Sequence, residues 1–214
     1  MTGKMIGLIC FLTVSITTIL ATKGIDVSQS VTQAQFECLK NAGYEFVITR
    51  VHQSTGKVDP NGARTIKNAK AAGFRYVDGY IFPCFSCGNP AKQVSDTIDN
   101  LNSNGAEYGM IWLDIESGAN WSSIAQDNID FIQQMIDELK RLKVNFGIYA
   151  QKSQWTHITG NTVVFGDPPL WYPHYDNVES FSGFQAFGGW TKPAIKQYQG
   201  DVSECGVGID RNFY

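Results

Sequence analysis

One segment near the middle of the chain decides how the sequence folds, and it reads Met110-Ile111-Trp112-Leu113-Asp114-Ile115-Glu116. Apolar, aromatic and β-branched residues dominate it, which is typical of a buried strand. In the stretch that follows, 122–142, apolar residues recur at helical spacing from Ile124 to Leu139. A strand followed by an amphipathic helix is part of a βαβ unit, and such units build parallel sheets.

The same alternation of strands and helices runs outward from this segment in both directions. Helices are predicted over 32–41, 61–72, 90–101 and 122–142. Strands are predicted over 24–28, 44–51, 76–82, 110–116, 145–150 and 170–175, with two weaker ones over 183–187 and 194–199. About eight such strands in one domain predict a parallel sheet closed into a barrel.

The last third of the chain departs from that pattern. The stretches 157–169 and 173–191 are rich in Gly and Pro and predict loops rather than long helices. The predicted fold class is therefore α/β, an irregular TIM-like (β/α) barrel of about eight strands with short or missing helices in the C-terminal third.

The N-terminal residues have the composition of a secretory signal. Lys4 supplies a positive charge, and the stretch 6–20 is uncharged and largely apolar but too short for a membrane span. Residues 1–21 are predicted to be a signal peptide and 22–214 the barrel, which is then secreted or lumenal and not held in a membrane.

Net charge and the positions of the histidines restrict the partners that the protein can bind. The formal net charge is −3, with no cluster of Lys and Arg, which argues against a nucleic-acid partner. The three histidines lie far apart, so neither a metal nor another cofactor is expected. A monomer is the default expectation.

Four cysteines follow the signal segment: Cys38, Cys84, Cys87 and Cys205. An even number in a secreted chain predicts two disulfides, for which three connectivities exist. We favour Cys84–Cys87 and Cys38–Cys205. Free thiols, or a redox role for the C-x-x-C spacing, are the alternatives, and both are less favoured outside the cytosol.

Asp114 and Glu116 are the residues that point to chemistry. Two positions apart on a strand, they share one face and lie at the strand's C-terminal end, where barrel enzymes keep catalytic groups. Adjacent buried carboxyls raise each other's pKa, as cleavage of a glycoside by an acid and a carboxylate requires. The alternative is that they only cap the next helix.

Two further acids and several aromatic residues favour the glycosidase interpretation. Asp26 and Asp210 each lie in a Gly-Ile-Asp triplet, one in the first strand and one near the chain end, and these segments are neighbours in a closed barrel. Aromatic rings at strand ends stack on sugars or simply pack in the core. We predict a substrate-binding role for Tyr80, Tyr149, Trp171 and Tyr198.

The chain resembles glycoside hydrolase family 25, the secreted muramidases, over nearly all of 24–214. The similarity rests on the order and spacing of several short motifs, not on any single one. These are Gly24-Ile25-Asp26-Val27-Ser28, Asp59-Pro60-Asn61, Gly79-Tyr80, Trp112-Leu113-Asp114-Ile115-Glu116, Gly147-Ile148-Tyr149, Leu170-Trp171 and Gly208-Ile209-Asp210-Arg211-Asn212.

The resemblance implies an irregular β/α barrel that hydrolyses the β-1,4 bond between N-acetylmuramic acid and N-acetylglucosamine in bacterial peptidoglycan, without a cofactor. It implies that Glu116 is the general acid, Asp114 its charged neighbour, and Asp26 and Asp210 supporting carboxylates. The chain departs from the family after the second strand, where an acid-containing Thr-Glu-Gly is replaced by residues 50–54, and at the end of the third.

Two other functions compete with this one. A lectin-like or inactive barrel would bind peptidoglycan without cutting it, but binding alone does not require a tuned acid. A chitinase-type barrel carries D-x-x-D-x-D-x-E on its fourth strand, and here Gly109 and Trp112 occupy the first two acidic positions. Only the final D-x-E is present, which disfavours chitin as the substrate.

Overall fold

The computed structural model describes residues 21–214, so the predicted signal peptide lies outside the described residues except for Ala21. The elements follow in the order β1 (Lys23–Val27), α1 (Gln33–Asn41), β2 (Phe46–Gln53), β3 (Lys57–Val58), α2 (Gly62–Ala71), β4 (Tyr76–Ile81), α3 (Pro90–Ser103), β5 (Ile111–Asp114), α4 (Ala125–Arg141), β6 (Phe146–Tyr149), α5 (Lys152–Thr159), β7 (Leu170–Pro173), β8 (Ile195–Glu204) and β9 (Val207–Phe213).

Eight of these strands close a barrel in the spatial order β1, β2, β4, β5, β6, β7, β8 and β9, with β9 returning to β1. Neighbours from β1 to β8 run parallel. The short β3 pairs with the end of β2 as a hairpin outside the barrel. The predicted irregular α/β barrel is confirmed.

The expectation of an entirely parallel sheet is wrong at the point of closure. Strand β9 runs antiparallel to both β8 and β1. The connection from β8 is only Cys205 and Gly206, whose φ angles of 53° and 72° are the left-handed values of a tight hairpin turn. A turn this short leaves no room for the crossover helix that a parallel connection needs.

Three further differences from the sequence prediction lie in the C-terminal third, and the first is that no strand was predicted where β9 forms. The predicted strand over 183–187 does not form, because β7 pairs directly with β8 and leaves no position between them. Helix α5 was not predicted, since its β-branched and polar residues have modest helix propensity. Tertiary packing of α5 compensates for this low propensity, because the helix buries Trp155 and Ile158.

The barrel has an inner and an outer apolar cluster. Phe46, Ile48, Tyr80, Trp112, Tyr149, Trp171 and Ile195 fill the interior. Leu113 and Ile115 face outward into the larger cluster between the strands and the helices. Gly147 is required beside the Trp112 indole, because a Cβ there would overlap the ring. Among residues 21–214 no helix has both the length and the apolar character to cross a membrane.

Both favoured disulfides are present. Cys38 on α1 is bonded to Cys205 in the β8–β9 turn, and Cys84 is bonded to Cys87 in the loop after β4. The first joins residues 167 positions apart, whereas the second spans a separation of only 3. Because loop-closure entropy grows with the length of chain enclosed, the two bonds are expected to differ in their effect on stability.

We predict that Cys38→Ser with Cys205→Ser lowers the free energy of unfolding by up to about 5 kcal/mol, the chain-entropy limit for so long a loop. The matched control, Cys84→Ser with Cys87→Ser, should lose up to about 1.5 kcal/mol by the same relation. Urea unfolding followed by tryptophan fluorescence measures both. Equal losses in the two variants would contradict this account.

Candidate active site

Four carboxyl side chains meet at the C-terminal end of the parallel strands. Asp114 is the last residue of β5, and Glu116 follows two positions later on the same face. The indole Nε1 of Trp121 donates to the Glu116 carbonyl oxygen at 2.8 Å and fixes the backbone there. Asp114 is buried and Glu116 is half-buried, so the second carboxyl reaches the mouth of the site.

The other two acids, Asp26 and Asp210, come from β1 and β9. They are direct cross-strand partners in the antiparallel pair, which brings their Cα atoms to about 4.5–5.5 Å. One side chain bridges them: the Gln197 amide nitrogen donates to Asp26 Oδ2 at 2.8 Å and to Asp210 Oδ2 at 3.2 Å. The backbone N–H of Asp201 donates to the other oxygen of Asp210 at 2.8 Å.

Asn212 joins this polar network to the aromatic wall. Its amide nitrogen donates to Asp26 Oδ2 at 2.7 Å, and its oxygen accepts from the Trp171 indole Nε1 at 2.7 Å. The Trp171 ring packs edge-on against Tyr149 with the centroids 4.5 Å apart. The Trp171 indole is therefore fixed by Asn212, the same residue that donates to the Asp26 carboxylate.

The space between these groups has a volume of about 130 Å³ and is lined by Asp26, Tyr80, Asp114, Glu116, Tyr149, Trp171, Tyr175, Gln197 and Asp210. At about 30 Å³ per water molecule it holds roughly four waters, so it receives part of a ligand rather than a whole polymer. Tyr175 forms the outer edge, with 56% of its side chain exposed and its hydroxyl donating to Gln197 Oε1.

The structure brings together all four predicted acids and three of the four predicted aromatic residues. Tyr198 lies elsewhere. It alternates with Gln197 on β8 and so faces away from the barrel interior, where its ring packs against Phe213 at 6.2 Å between centroids. Burial and the nearby Glu179 raise the pKa of Tyr198 there.

Burial raises the pKa of each of the four acids, and like charges raise several of them further. The pKa of Asp114 is held well above its usual value by burial, then by Glu116 and Asp26. The pKa of Asp26 is held well above its usual value by burial and by Asp210, against the hydrogen bonds from Asn212 and Gln197.

The two acids nearer solvent follow the same trend. Burial and then Asp210 raise the pKa of Glu116. Burial raises the pKa of Asp210, against the hydrogen bond from the Asp201 N–H. Each of the four carboxyls thus keeps its proton to higher pH than a free carboxyl does, and general acid catalysis requires such a protonated group.

Asp114 differs from Asp26 and Asp210, whose carboxyls accept hydrogen bonds. Its Oδ1 is buried and has no partner within the described residues. Arg50 lowers the pKa of Asp114 by its charge, although its Nε–H donates to Asp59 at 2.8 Å. Arg50, in the segment that departs from the family motif, therefore places a cation, paired with the buried Asp59, near this end of the barrel.

A larger cavity lies at the opposite end of the barrel, where the parallel strands begin. Its volume is about 840 Å³, and its lining is mainly apolar. Two carboxyls line it: Asp167 is exposed, and the half-buried Asp78 accepts hydrogen bonds from the Trp112 indole and the Met110 N–H. Neither resembles the cluster of buried acids at the other end, so size does not mark the active site. In residues 21–214 no group of His, Cys, Asp and Glu is arranged to hold a metal ion.

Sequence reasoning did not select Gln197, Asn212, Tyr175 or Arg50. The two-residue period that identified Asp114 and Glu116 would also have identified Asn212, which lies two positions after Asp210 on β9. Gln197 carried no such signal, because β8 is rich in polar residues and one glutamine among them indicates chemistry only once its partners are known.

Known proteins that are similar to this chain include lysozymes and lysozyme-like proteins. A family model described as Lysozyme-like protein 1 matches residues 17–198. A Dictyostelium discoideum protein named as a GH family 25 lysozyme is 45% identical over 194 residues, which is 91% of each chain. The GH25 lysozyme from Aspergillus fumigatus has a similar fold, with a TM-score of 0.74 and 22% identity over 91% of this chain and 94% of its own.

A third similar structure carries a ligand. The modular autolysin LytC from Streptococcus pneumoniae was solved in complex with a synthetic peptidoglycan ligand. Its fold matches with a TM-score of 0.71 and 16% identity, over 93% of this chain and 48% of that one.

We predict that Asp114→Asn stabilises the protein at pH 7 by about 1–3 kcal/mol, because the amide removes a buried charge that desolvation, Glu116 and Asp26 all disfavour. A raised pKa in the folded state means that the carboxyl contributes stability at low pH and loses it as pH rises through that pKa. The gain should therefore shrink at pH 4. Urea unfolding at both pH values measures it, and a variant less stable than wild type at pH 7 would refute the prediction.

Proposed function

The chain belongs to glycoside hydrolase family 25, and on that premise we propose that it is a lysozyme. Its substrate is bacterial peptidoglycan, in which it hydrolyses the β-1,4 bond between N-acetylmuramic acid and N-acetylglucosamine. The observation that carries the proposal is the set of four carboxyls at one end of the barrel, all with raised pKa and one of them at the mouth. The activity serves defence against bacteria or their digestion.

Glu116 is the general acid. Burial and Asp210 raise its pKa above the usual 4.5. Glu116 therefore keeps its proton to higher pH than a free glutamate and donates that proton to the glycosidic oxygen. Unlike Asp26 and Asp114, it is half-buried rather than buried, so it can reach a substrate in the cleft.

Asp114 lies beside the acid and supplies the second role. Its unpartnered Oδ1 is available to orient the acetamido group of the sugar. When ionised, Asp114 also stabilises the positive charge that develops on the sugar ring. Asp26 and Asp210 support both groups by adding negative potential from the opposite wall.

The aromatic walls suit a pyranose. Tyr80, Tyr149 and Trp171 line the cleft with their rings packed edge to face, so their positions are fixed before a substrate arrives. Apolar ring faces of this kind contact the C–H face of a sugar. The polar side chains that line the same cleft, among them Asp26 and Asp210, are available to the hydroxyl and amide substituents of the sugar.

We predict that the purified barrel clears a peptidoglycan suspension and that Glu116→Gln lowers the rate by roughly 10²–10⁴-fold, as loss of a general acid should. The matched control is Glu107→Gln, which removes an exposed glutamate in the loop before β5. It should clear at the wild-type rate.

Three results, from that assay and from parallel tests of chitin hydrolysis and of co-sedimentation with cell walls, would overturn parts of the proposal. Equal clearing by wild type and Glu116→Gln would remove Glu116 as the acid. Hydrolysis of chitin without clearing of peptidoglycan would replace the substrate. Co-sedimentation with cell walls, without clearing at acid or neutral pH, would indicate a binding module.

We propose in addition that the protein acts as a monomer outside the cytosol. The two disulfides support the location, because such bonds persist in oxidising compartments. Expressed from the full sequence in a secreting eukaryotic cell, the protein should be recovered from the medium with its N-terminus at Thr22 or Lys23. Intact mass measures this, and a cell-retained product carrying residues 1–21 would refute it.

A further inference from the structure

One buried side chain connects the two walls of the cleft. Gln197 is 2% exposed, and its amide makes four hydrogen bonds. Its nitrogen donates to Asp26 and Asp210, and its oxygen accepts from the hydroxyls of Tyr149 and Tyr175, both at 2.8 Å. Two donated protons and two accepted ones are all that an amide offers, so Gln197 is saturated.

The charges around Gln197 determine which way its amide points. If the amide were reversed, its oxygen would face two carboxylates and its nitrogen two hydroxyls. The observed orientation instead places the N–H groups against the carboxylates, where hydrogen bonds to an ionised acceptor are strongest. The tyrosine hydroxyls are directed to the amide oxygen and do not donate to the acids.

We propose that Gln197 is a positioning residue for hydrolysis, whose amide bridges Asp26 and Asp210 and favours their ionised forms, which helps Glu116 to keep its proton. The proposal rests on the proposed function, because it gives Glu116 the role of acid. It deepens that function by naming the group that favours the charged forms of Asp26 and Asp210 and thereby the protonated form of Glu116.

The effect passes from Gln197 to Glu116 in two steps. Hydrogen bonds donated to a carboxylate favour its ionised form, and Gln197 lowers the pKa of Asp26 in this way. A charge on Asp210 raises the pKa of Glu116, and Glu116 in turn raises that of Asp26. Without the amide, Asp26 and Asp210 take up protons more readily, and the negative potential that keeps Glu116 protonated decreases.

The titratable and charged groups that face this network come from every wall of the cleft. They are Asp26 on β1, Arg50 on β2, Tyr80 on β4, Asp114 and Glu116 at the end of β5, Tyr149 on β6, Tyr175 after β7, Asp201 on β8 and Asp210 on β9. The tyrosine pKa values are raised by burial, so these hydroxyls remain protonated while the carboxyls titrate.

The first test is the pH dependence of kcat/KM for Gln197→Met, which keeps the length of the side chain but removes the amide. The alkaline limb, where Glu116 loses its proton, should move to lower pH by up to about one unit, because the lost hydrogen bonds act on Glu116 only through the charges of Asp26 and Asp210. The matched control is Gln199→Met on the same strand. Gln199 accepts from Arg211 at 2.9 Å and makes no hydrogen bond to the acids, so its variant should keep the wild-type limb.

A merely structural role for Gln197 predicts a different result. The rate would then fall by the same factor at every pH, and the alkaline limb would not move; that outcome, or a limb at higher pH, overturns the proposal. Should Gln197→Met fail to fold, Gln197→Asn serves instead. It keeps an amide but is one methylene too short to reach both acids, and it should shift the limb in the same direction.

The second test does not depend on the substrate. Carboxyl ¹³C resonances of labelled Asp and Glu, titrated by NMR in wild type and Gln197→Met, should show the pKa of Asp26 and Asp210 rising and that of Glu116 falling. Unchanged values refute the proposal for Gln197. If wild type instead fails to act on peptidoglycan, the proposed function fails while the titration still decides whether Gln197 controls the acids.

Discussion

The antiparallel insertion of β9 between β8 and β1 is the constraint on which the rest of the structure depends. It closes the barrel, and by closing it places Asp210 directly opposite Asp26. The turn that reverses the chain, Cys205-Gly206, is bonded through Cys205 to Cys38 on α1, which follows β1. The covalent bond therefore holds the same seam that creates the acid pair.

In the site that this closure creates, opposing electrostatic effects act on the carboxyl groups. Burial and like charges disfavour the charged forms of the four acids, whereas hydrogen bonds from Gln197, Asn212 and the Asp201 N–H favour the charged forms of Asp26 and Asp210. Asp114 receives no such bond at Oδ1 and has the distant charge of Arg50 instead. Neighbouring carboxyls thus have different surroundings, which is how acids of one type take different roles.

A second buried charge holds the rim in place. Lys196 is 1% exposed and faces away from the barrel interior. Its ammonium group contacts both oxygens of Asp176 at 2.7 Å and the carbonyls of Val178 and Ser180. It is adjacent to Gln197 on β8, and Asp176 is adjacent to Tyr175. The loop after β7 is therefore fixed by the strand that also carries the amide, and the position of Tyr175 follows from both.

Local pattern by itself determined the α/β class, most strand and helix positions, and the shared face of Asp114 and Glu116, because periods of 2.0 and 3.6 residues are properties of the backbone. It did not determine the antiparallel closure, the absence of a strand over 183–187, or the outward direction of Tyr198. Only the tertiary structure decided those, together with the hydrogen-bond partners of Gln197. Which strand pairs with which, and what a polar side chain meets across the barrel, depends on residues far apart in sequence: the two acids that Gln197 joins lie 171 and 13 positions from it.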